Sequence, residues 1–389
     1  MVVGDTFAPD INGSASFAKR LAAELTRRGH DVHVVAPSPD GPARTGPETH
    51  AGAELTVHRL RSWKWPPHPW IRFALPWRVK ANARRILTSV QPDVVHFQSH
   101  IVTGAGFAPV AKSRGIRLIG TNHTMPENIA QHVTVLPKPL LDGLVRAQWR
   151  SAARIFGLAE QVTSPTQRSA DYFERMTGLR GVHAVSNGID TTQYTPDFAP
   201  KAQKRIVFVG RLDDEKHIDE LIDATARLDP ALDARVDIVG AGEAKHRLQA
   251  QAQRIGVADR VAFHGKISDE ELRGILTRGT VFAMPSRAEL QCIAAMEAMA
   301  TALPVVGANA MALPHLVHDG ENGYLYEPGD IDGLVTGLTK VLTASAEDLE
   351  RMKRASQEIV THHSLAHSVD LFERLYRGQP VDAAGAREG

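Results

Sequence analysis

Apolar runs and amphipathic stretches alternate along most of this chain, and their periods differ. In "SASFAKRLAAELTRRG" (14–29), Phe17, Leu21 and Leu25 recur every four residues, which marks one face of a helix. Gly29 closes that pattern, because helices commonly stop at a glycine free to take a left-handed backbone, and "DVHVVA" follows as a strand. The short runs "DVVHF" (93–97), "RLIGT" (117–121) and "RIFGLA" (154–159) read as further strands. Such a strand–helix–strand succession predicts a mostly parallel sheet with helices on both faces. Only Met1–Val3 precede Gly4 as an opening strand, so the natural chain is expected to begin earlier.

A second series starts at "KRIVFVGR" (204–211). It continues through "RVDIVGAG" (235–242), "RVAFHG" (260–265), "TVFAMPS" (280–286) and "LPVVGA" (303–308), with helical patterns such as "HIDELIDATARL" between. The intervening "SNGIDTTQYTPDFAPKAQ" is rich in Gly, Pro, Asn and Thr and reads as a linker. The expected organisation is an α/β chain of two doubly wound, Rossmann-like domains. These are residues 1–187, a linker 188–203, and residues 204–364. A helical pattern over about 345–377 ends the ordered chain; its part 365–378 is expected to pack back on the first domain, and the tail 379–389 to be disordered. Two such domains would face each other across a cleft at the carboxyl ends of their strands, where these sheets bind ligands.

Composition narrows the function. At 389 residues, 43% apolar and 23% charged, the chain is globular and long enough for two cores. A net charge of +1 argues against a nucleic-acid partner held by bulk charge. The single cysteine, Cys292, has no internal partner, which fits a reducing compartment. No apolar run reaches the ~18 residues a membrane span needs, and no secretory leader pattern opens the chain. The expected location is cytoplasmic, extended below to peripheral contact with the inner face of the cell membrane.

"SRAELQCIAAMEAMATALPVVG" (286–307) carries the sharpest signal. Carboxylates are almost never buried without a partner, yet Glu297 sits in an Ala- and Met-rich segment and Glu289 precedes it in a strand-to-helix loop. Unpaired N–H groups at such a helix start attract anions, so a diphosphate beside the two carboxylates is one reading. A capped surface helix with ordinary glutamates is the other. In "VGRLDDEKHID", Arg211 and Lys216 flank the loop after a strong strand. Two cations there suit a pyrophosphate, although pairing with Asp213, Asp214 and Glu215 would account for the loop alone. "VGAGEAK" lacks the third glycine of a dinucleotide fingerprint and a well-placed acid about twenty residues on. In the first domain Gly13, in "PDINGSASF", would let backbone approach a ligand or simply make a tight turn. His123, in "GTNHT", follows a strand, where it is a ligand contact or a structural hydrogen-bonder.

Taken together, "GRLDDEKHIDELI", "PSRAELQCIAAMEAMATALPVVGANA", "SNGID" and "ENGYLYEPGD" resemble family 4 of the retaining glycosyltransferases over nearly the whole chain. That resemblance implies the GT-B fold, a UDP- or GDP-sugar donor, and neither metal nor cofactor, because cations and helix N-termini take the metal's place. It implies that Arg211 and Lys216 hold the donor diphosphate, Glu297 the ribose and Glu289 the transferred hexose. Gly13 would lie under the phosphate, His123 would meet the hexose or acceptor, and Lys266 would lie near the base. Gln291, Cys292 and Ile293 complete the implied donor contacts. The family has small, glycine-containing residues where this chain has Leu290, Gln291 and Cys292, and a glycine where it has His217. In that respect the chain is similar to glycolipid-forming members such as monoglucosyldiacylglycerol synthases. Retention would follow a same-face displacement in which the leaving diphosphate helps deprotonate the acceptor hydroxyl, so the catalytic set is His123, Arg211, Lys216 and Glu289.

The acceptor is addressed by residues 55–92. They contain no Asp or Glu, eight Lys or Arg, and four of the chain's five tryptophans. Trp63, Trp65, Trp70 and Trp77 with Arg72, Lys80, Arg84 and Arg85 make the pattern of an anionic lipid surface site, each cation adding ~1 kcal/mol. A lipid acceptor such as a diacylglycerol or phosphoinositide follows. Tryptophans packed beneath a loop, and a soluble acceptor, are the alternatives. A sugar-nucleotide epimerase or a non-catalytic sugar-nucleotide binder would use the same fold.

Overall fold

The computed structural model describes residues 1–10, 12–65, 68–124 and 138–381. The chain divides into two compact units. Among the described residues, the first comprises Met1–Gly188 with Leu365–Val381, and the second Ile189–Ser364.

The first unit is built on strands β1 (Val2–Val3), β2 (His33–Pro37), β3 (Arg44–His50), β4 (Ala53–Leu60), β5 (Ser62–Trp65), β6 (His68–Ala74), β7 (Val94–Phe97), β8 (Arg117–Thr121), β9 (Gln161–Ser164) and β10 (His183–Ala184). Eight of them form one sheet in the order β10-β9-β8-β7-β1-β2-β4-β3, and β5 and β6 form a separate antiparallel hairpin. Every pair in the large sheet is parallel except β3 with β4. Strand order reverses beside β1, so the loops after β1 and β7 part to opposite faces, the place where open α/β sheets take ligands. Helices cover both faces. On one, Phe17, Leu21 and Leu25 of the helix Gly13–Arg27 are buried as their spacing predicts, with Asn12 capping the helix by accepting from the Ala15 amide at 2.8 Å. The helix Leu365–Tyr376 packs on the same face through Val369 and Phe372, the latter ring 5.5 Å from Phe17. Arg28 adds ion pairs to Asp370 at 2.5 Å and Glu373 at 3.4 Å.

One predicted strand is instead helix. "RIFGLA" closes the helix Lys138–Phe156, and the strand that follows is β9. Trp149, Ala152, Ile155 and Phe156 are all buried, so Ile155 and Phe156 continue a helical face and do not open an extended run. The pattern over 345–377 is likewise two helices, Ala346–Thr361 and Leu365–Tyr376, parted at the boundary between units.

The second unit has a six-stranded, all-parallel sheet. Its strands are β11 (Arg205–Val209), β12 (Arg235–Val239), β13 (Val261–Gly265), β14 (Val281–Met284), β15 (Val305–Ala308) and β16 (Gly323–Tyr326), in the order β13-β12-β11-β14-β15-β16. The reversal falls between β11 and β14. Residues 189–203, which read as a linker, lie against this unit: Ile189 is in its core, and the buried Lys353 donates to the carbonyls of Asp197 and Ala199 at 2.9 and 3.3 Å. Residues 382–389 of the expected tail lie outside the described residues.

Candidate functional site

The two loops at the reversal of the second sheet carry the residues singled out from sequence. After β11 the chain runs through Gly210 and Arg211 into a single turn of 3-10 helix, Asp214–Lys216. Lys216 crosses to the loop after β14 and donates to Glu289 Oε1 at 2.6 Å, with Glu215 Oε1 3.7 Å away. Both side chains are largely buried, at 13% and 15% exposure, so the pair sits in a medium where each charge depends on the other. Burial opposes the Lys216 charge, and the Glu289 and Glu215 carboxylates outweigh it, raising the ammonium pKa. For Glu289, burial acts to raise the carboxyl, but Lys216, the Ser286 hydroxyl and Arg211 together hold it below the ordinary range. Arg211 is half exposed; it donates to Asp213 and, at 2.5 Å, to Glu215. The site's cations are thus held on the protein's own carboxylates, and Arg211 has the exposure to change partners.

Glycines let the neighbouring loop close against this one. A Cβ on Gly240 would come within 1.8 Å of the Gly210 carbonyl, and one on Gly242 within 2.4 Å of the Leu212 carbonyl. The "VGAG" stretch therefore serves backbone packing, sealed by Leu212 N–H to the Ala241 carbonyl at 3.1 Å.

Glu289 leads to the helix Ile293–Ala300, whose N-cap Cys292 has a left-handed backbone (φ 62°) and is buried. His217 is left-handed as well (φ 48°). His217 stands where the resemblance gives a glycine, and Cys292 ends the stretch where it gives small, glycine-containing residues; glycine takes this left-handed backbone at the least cost. Burial, then the Glu289 charge, pushes the Cys292 thiol well up, so it stays protonated. Glu297 is 9% exposed on the second turn of that helix, and Gln291 is buried beside Cys292; Ile293 is half-buried at the first helical position. Lys266 is exposed just past the edge strand β13, which lies two strands from β11 in the sheet.

In the first unit, Gly13 is exposed as the first residue of its helix, directly after the capping Asn12. His123 follows β8 with its ring 4.9 Å from Phe17; burial pushes the imidazole down to about 3, so it is neutral. Its Nε2 has no hydrogen-bond partner among the described residues. The sequence reading passed over Gln98, at the end of β7 beside the strand reversal. It is 1% exposed with neither amide atom hydrogen-bonded among the described residues. Buried amides are nearly always paired, which makes Gln98 a candidate site residue. A Gln directly after an apolar strand was the available signal.

The basic segment is divided by the fold. Arg59 is buried against Glu48 at 2.6 Å, and Arg72 is tied to the Ser62 hydroxyl at 2.9 Å within the β5–β6 hairpin. Trp63 is half-buried under the Arg61 guanidinium. The side chains of Trp65 and Trp70 lie outside the described residues. The helix Pro76–Val90 buries Val79, Ala83, Ile86 and Leu87 and turns Arg78, Lys80, Arg84 and Arg85 outward, with Trp77 73% exposed. Among the described residues no helix is long and apolar enough to cross a membrane, and no group of three His, Cys, Asp or Glu is placed to hold a metal.

Residues 11–193 match Glycosyltransferase Family 4, and residues 192–359 match Glycosyl transferases group 1. A GDP-mannose-dependent alpha-mannosyltransferase of Mycolicibacterium smegmatis is 26% identical over 371 residues, 92% of each chain. Sucrose-phosphate synthase of Thermosynechococcus elongatus has the same fold, with a TM-score of 0.81 at 18% identity over 97% of this chain and 98% of that one. Anabaena HepE, solved in complex with UDP-glucose, aligns with a TM-score of 0.74 at 17% identity over 97% of this chain and 99% of that one.

Proposed function

Because the chain belongs to the glycosyltransferases of GT-B fold, its first half to family 4 and its second to group 1, we propose that it moves a hexose from a nucleoside-diphosphate sugar to a lipid hydroxyl, with retention of configuration. The observation that carries the donor side is the Lys216–Glu289 bridge across the strand reversal of the second unit, with Arg211 beside it. A donor diphosphate arriving there offers the two cations a new anion. Arg211 leaves Asp213 and Glu215, Lys216 turns from Glu289, and the freed Glu289 accepts hydrogen bonds from the hexose hydroxyls. The first N–H groups of the helix Ile293–Ala300 add their partial positive charge. Glu297 takes the ribose diol.

As the bond to the anomeric carbon breaks, its electrons pass to the diphosphate oxygen and negative charge grows beside Arg211 and Lys216. These preorganised cations stabilise that charge without a metal. The acceptor hydroxyl attacks from the same face, and its proton passes to the departing diphosphate. His123, neutral by burial, serves as a hydrogen-bonding group to hexose or acceptor and carries no charge into the step.

The exposed Trp77 on a helix that turns four cations outward supports the lipid side. Charge draws such a face to anionic lipid, and the indole buries at the interface. The relative named for GDP-mannose and the neighbour solved with UDP-glucose define the donors to try. Labelled GDP-mannose and UDP-glucose, each incubated with a membrane lipid extract or without it and with or without EDTA, test the reading. Label in a lipid whose new linkage keeps the donor's anomeric configuration, unaffected by EDTA, is expected. Turnover without acceptor would indicate an epimerase, and binding without turnover a non-catalytic binder.

A further inference from the structure

A second ion pair spans the same strand reversal; its residues lie inside the quoted motifs, but the sequence reading gave them no role and the proposed chemistry does not use them. Arg287 lies two residues before Glu289 and donates through Nη2 to Glu220 Oε1. Glu220 lies four residues after Lys216, in the first turn of the helix Ile218–Arg227, and is 6% exposed. Its other oxygen, Oε2, accepts from the Tyr326 hydroxyl at 3.2 Å. Tyr326 ends β16 and is 4% exposed; burial, then the Glu220 carboxylate, push its phenol pKa up, so it remains a donor. His217 Nδ1 stands 3.6 Å from Glu220 Oε1. The loop after β16 closes over the guanidinium, since a Cβ on Gly329 would lie 3.3 Å from Arg287 Nη2.

The loops after β11 and β14 are therefore tied twice. One tie, Lys216 to Glu289, consists of the groups that must part when a diphosphate binds. The other, Arg287 to Glu220, is anchored by Tyr326 and contains no group assigned to the donor. We propose that the Arg287–Glu220–Tyr326 network is a positioning clamp, which keeps the two loops at fixed spacing while Lys216 moves from Glu289 to the donor diphosphate. This rests on the donor-site reading above. Arg287 acts through Lys216: without the clamp, the lysine's loop drifts from the helix that supplies the N–H groups, and the diphosphate loses a correctly placed cation.

The test is a double-mutant cycle on the full chain, with UDP and GDP each titrated by calorimetry and the tighter one used throughout. Lys216→Met should weaken binding about tenfold, the loss of one charge-assisted contact. Arg287→Ala should also weaken it about tenfold in the chain that keeps Lys216, but less than about twofold in the Lys216→Met background, because coupled residues fail to add. Tyr326→Phe removes one hydroxyl and leaves the ring packed; it should cost about threefold with Lys216 present and nothing without it. If Arg287→Ala does not fold, Tyr326→Phe in both backgrounds decides the matter. The same loss in both backgrounds, or no loss in either, overturns the clamp while the donor-site reading stands. A Lys216→Met protein that binds nucleotide as the parent does overturns the donor-site reading and the clamp with it.

Discussion

Replacing Lys216 by Met tests the electrostatics of the donor site without any ligand. The lysine ammonium and Glu289 carboxylate are 2.6 Å apart and largely buried. At an effective dielectric near 20, two unit charges at that separation attract by about 6 kcal/mol, much of which offsets the cost of removing both from water. Removing one partner leaves the other charge buried and costs about 3–5 kcal/mol in comparable cases. Glu289 keeps the Ser286 hydroxyl and the more distant Arg211, so the expected loss is at the low end, about 3 kcal/mol at neutral pH. Adding Glu289→Gln to Lys216→Met removes the stranded charge and should return all but about 1 kcal/mol. The pH dependence has a definite sign. In the parent, Glu289 has a folded pKa below its unfolded one, so its contribution is present above the ordinary carboxylate range and is lost as pH falls through the folded value. In Lys216→Met the main cause of that lowering is gone and burial remains, so the folded pKa moves above the unfolded one. The variant's deficit should therefore shrink as pH falls from neutrality into the carboxylate range. Hydrogen exchange on peptides covering 205–216 and 281–300 reads the stability of this unit alone. A single-mutant loss under about 1 kcal/mol, or a double mutant no more stable than the single, would refute the reasoning.

Other outcomes follow from the same geometry. Glu297→Ala should weaken nucleoside diphosphate binding by roughly 1.5–3 kcal/mol per lost ribose hydrogen bond, with an unchanged melting profile; calorimetry decides. Arg211→Ala should lower kcat more than it raises the donor KM, because diphosphate charge grows in the transition state, and steady-state kinetics separates the two. Anionic liposomes should sediment the protein at low salt and release much of it at high salt. Trp77→Ala should abolish the salt-resistant remainder, and Arg84→Glu with Arg85→Glu the low-salt binding, both without changing nucleotide affinity.

Much of the scaffold was legible because its signals are local. The four-residue recurrence of Phe17, Leu21 and Leu25 names a helix face, and "RLIGT" is β8 to the residue. "RIFGLA" misled because a buried helix end and a buried strand look alike over six residues; the helical register is visible only when Trp149 and Ala152 are included. The β3–β4 hairpin escaped notice because β3, "RTGPETH", is an edge strand with no buried residue, so it has no apolar alternation to read. At the site, residue types beside strand ends named Arg211, Lys216 and Glu289 as candidates, and the family resemblance, not the residues alone, gave them roles. What joins them was not legible, since it depends on strand order: β11 and β14 are neighbours in space across 71 residues of intervening chain, 210–280. Glu220, Arg287 and Tyr326 were missed for the same reason, each looking like an ordinary helix, loop or strand residue by itself. The departures at His217 and Cys292 were visible as substitutions, but their left-handed backbones were not.

The central claim is that the loops after β11 and β14 hold a sugar nucleotide for transfer to a lipid. Its most direct measurement is partition of label between aqueous and organic phases after the protein meets radiolabelled GDP-mannose or UDP-glucose and a membrane lipid extract, with Glu289→Gln in parallel. The account predicts label in the organic phase for one of the donors with the parent protein, and none with Glu289→Gln. Label that stays aqueous for both donors, or equal transfer by Glu289→Gln, would contradict it.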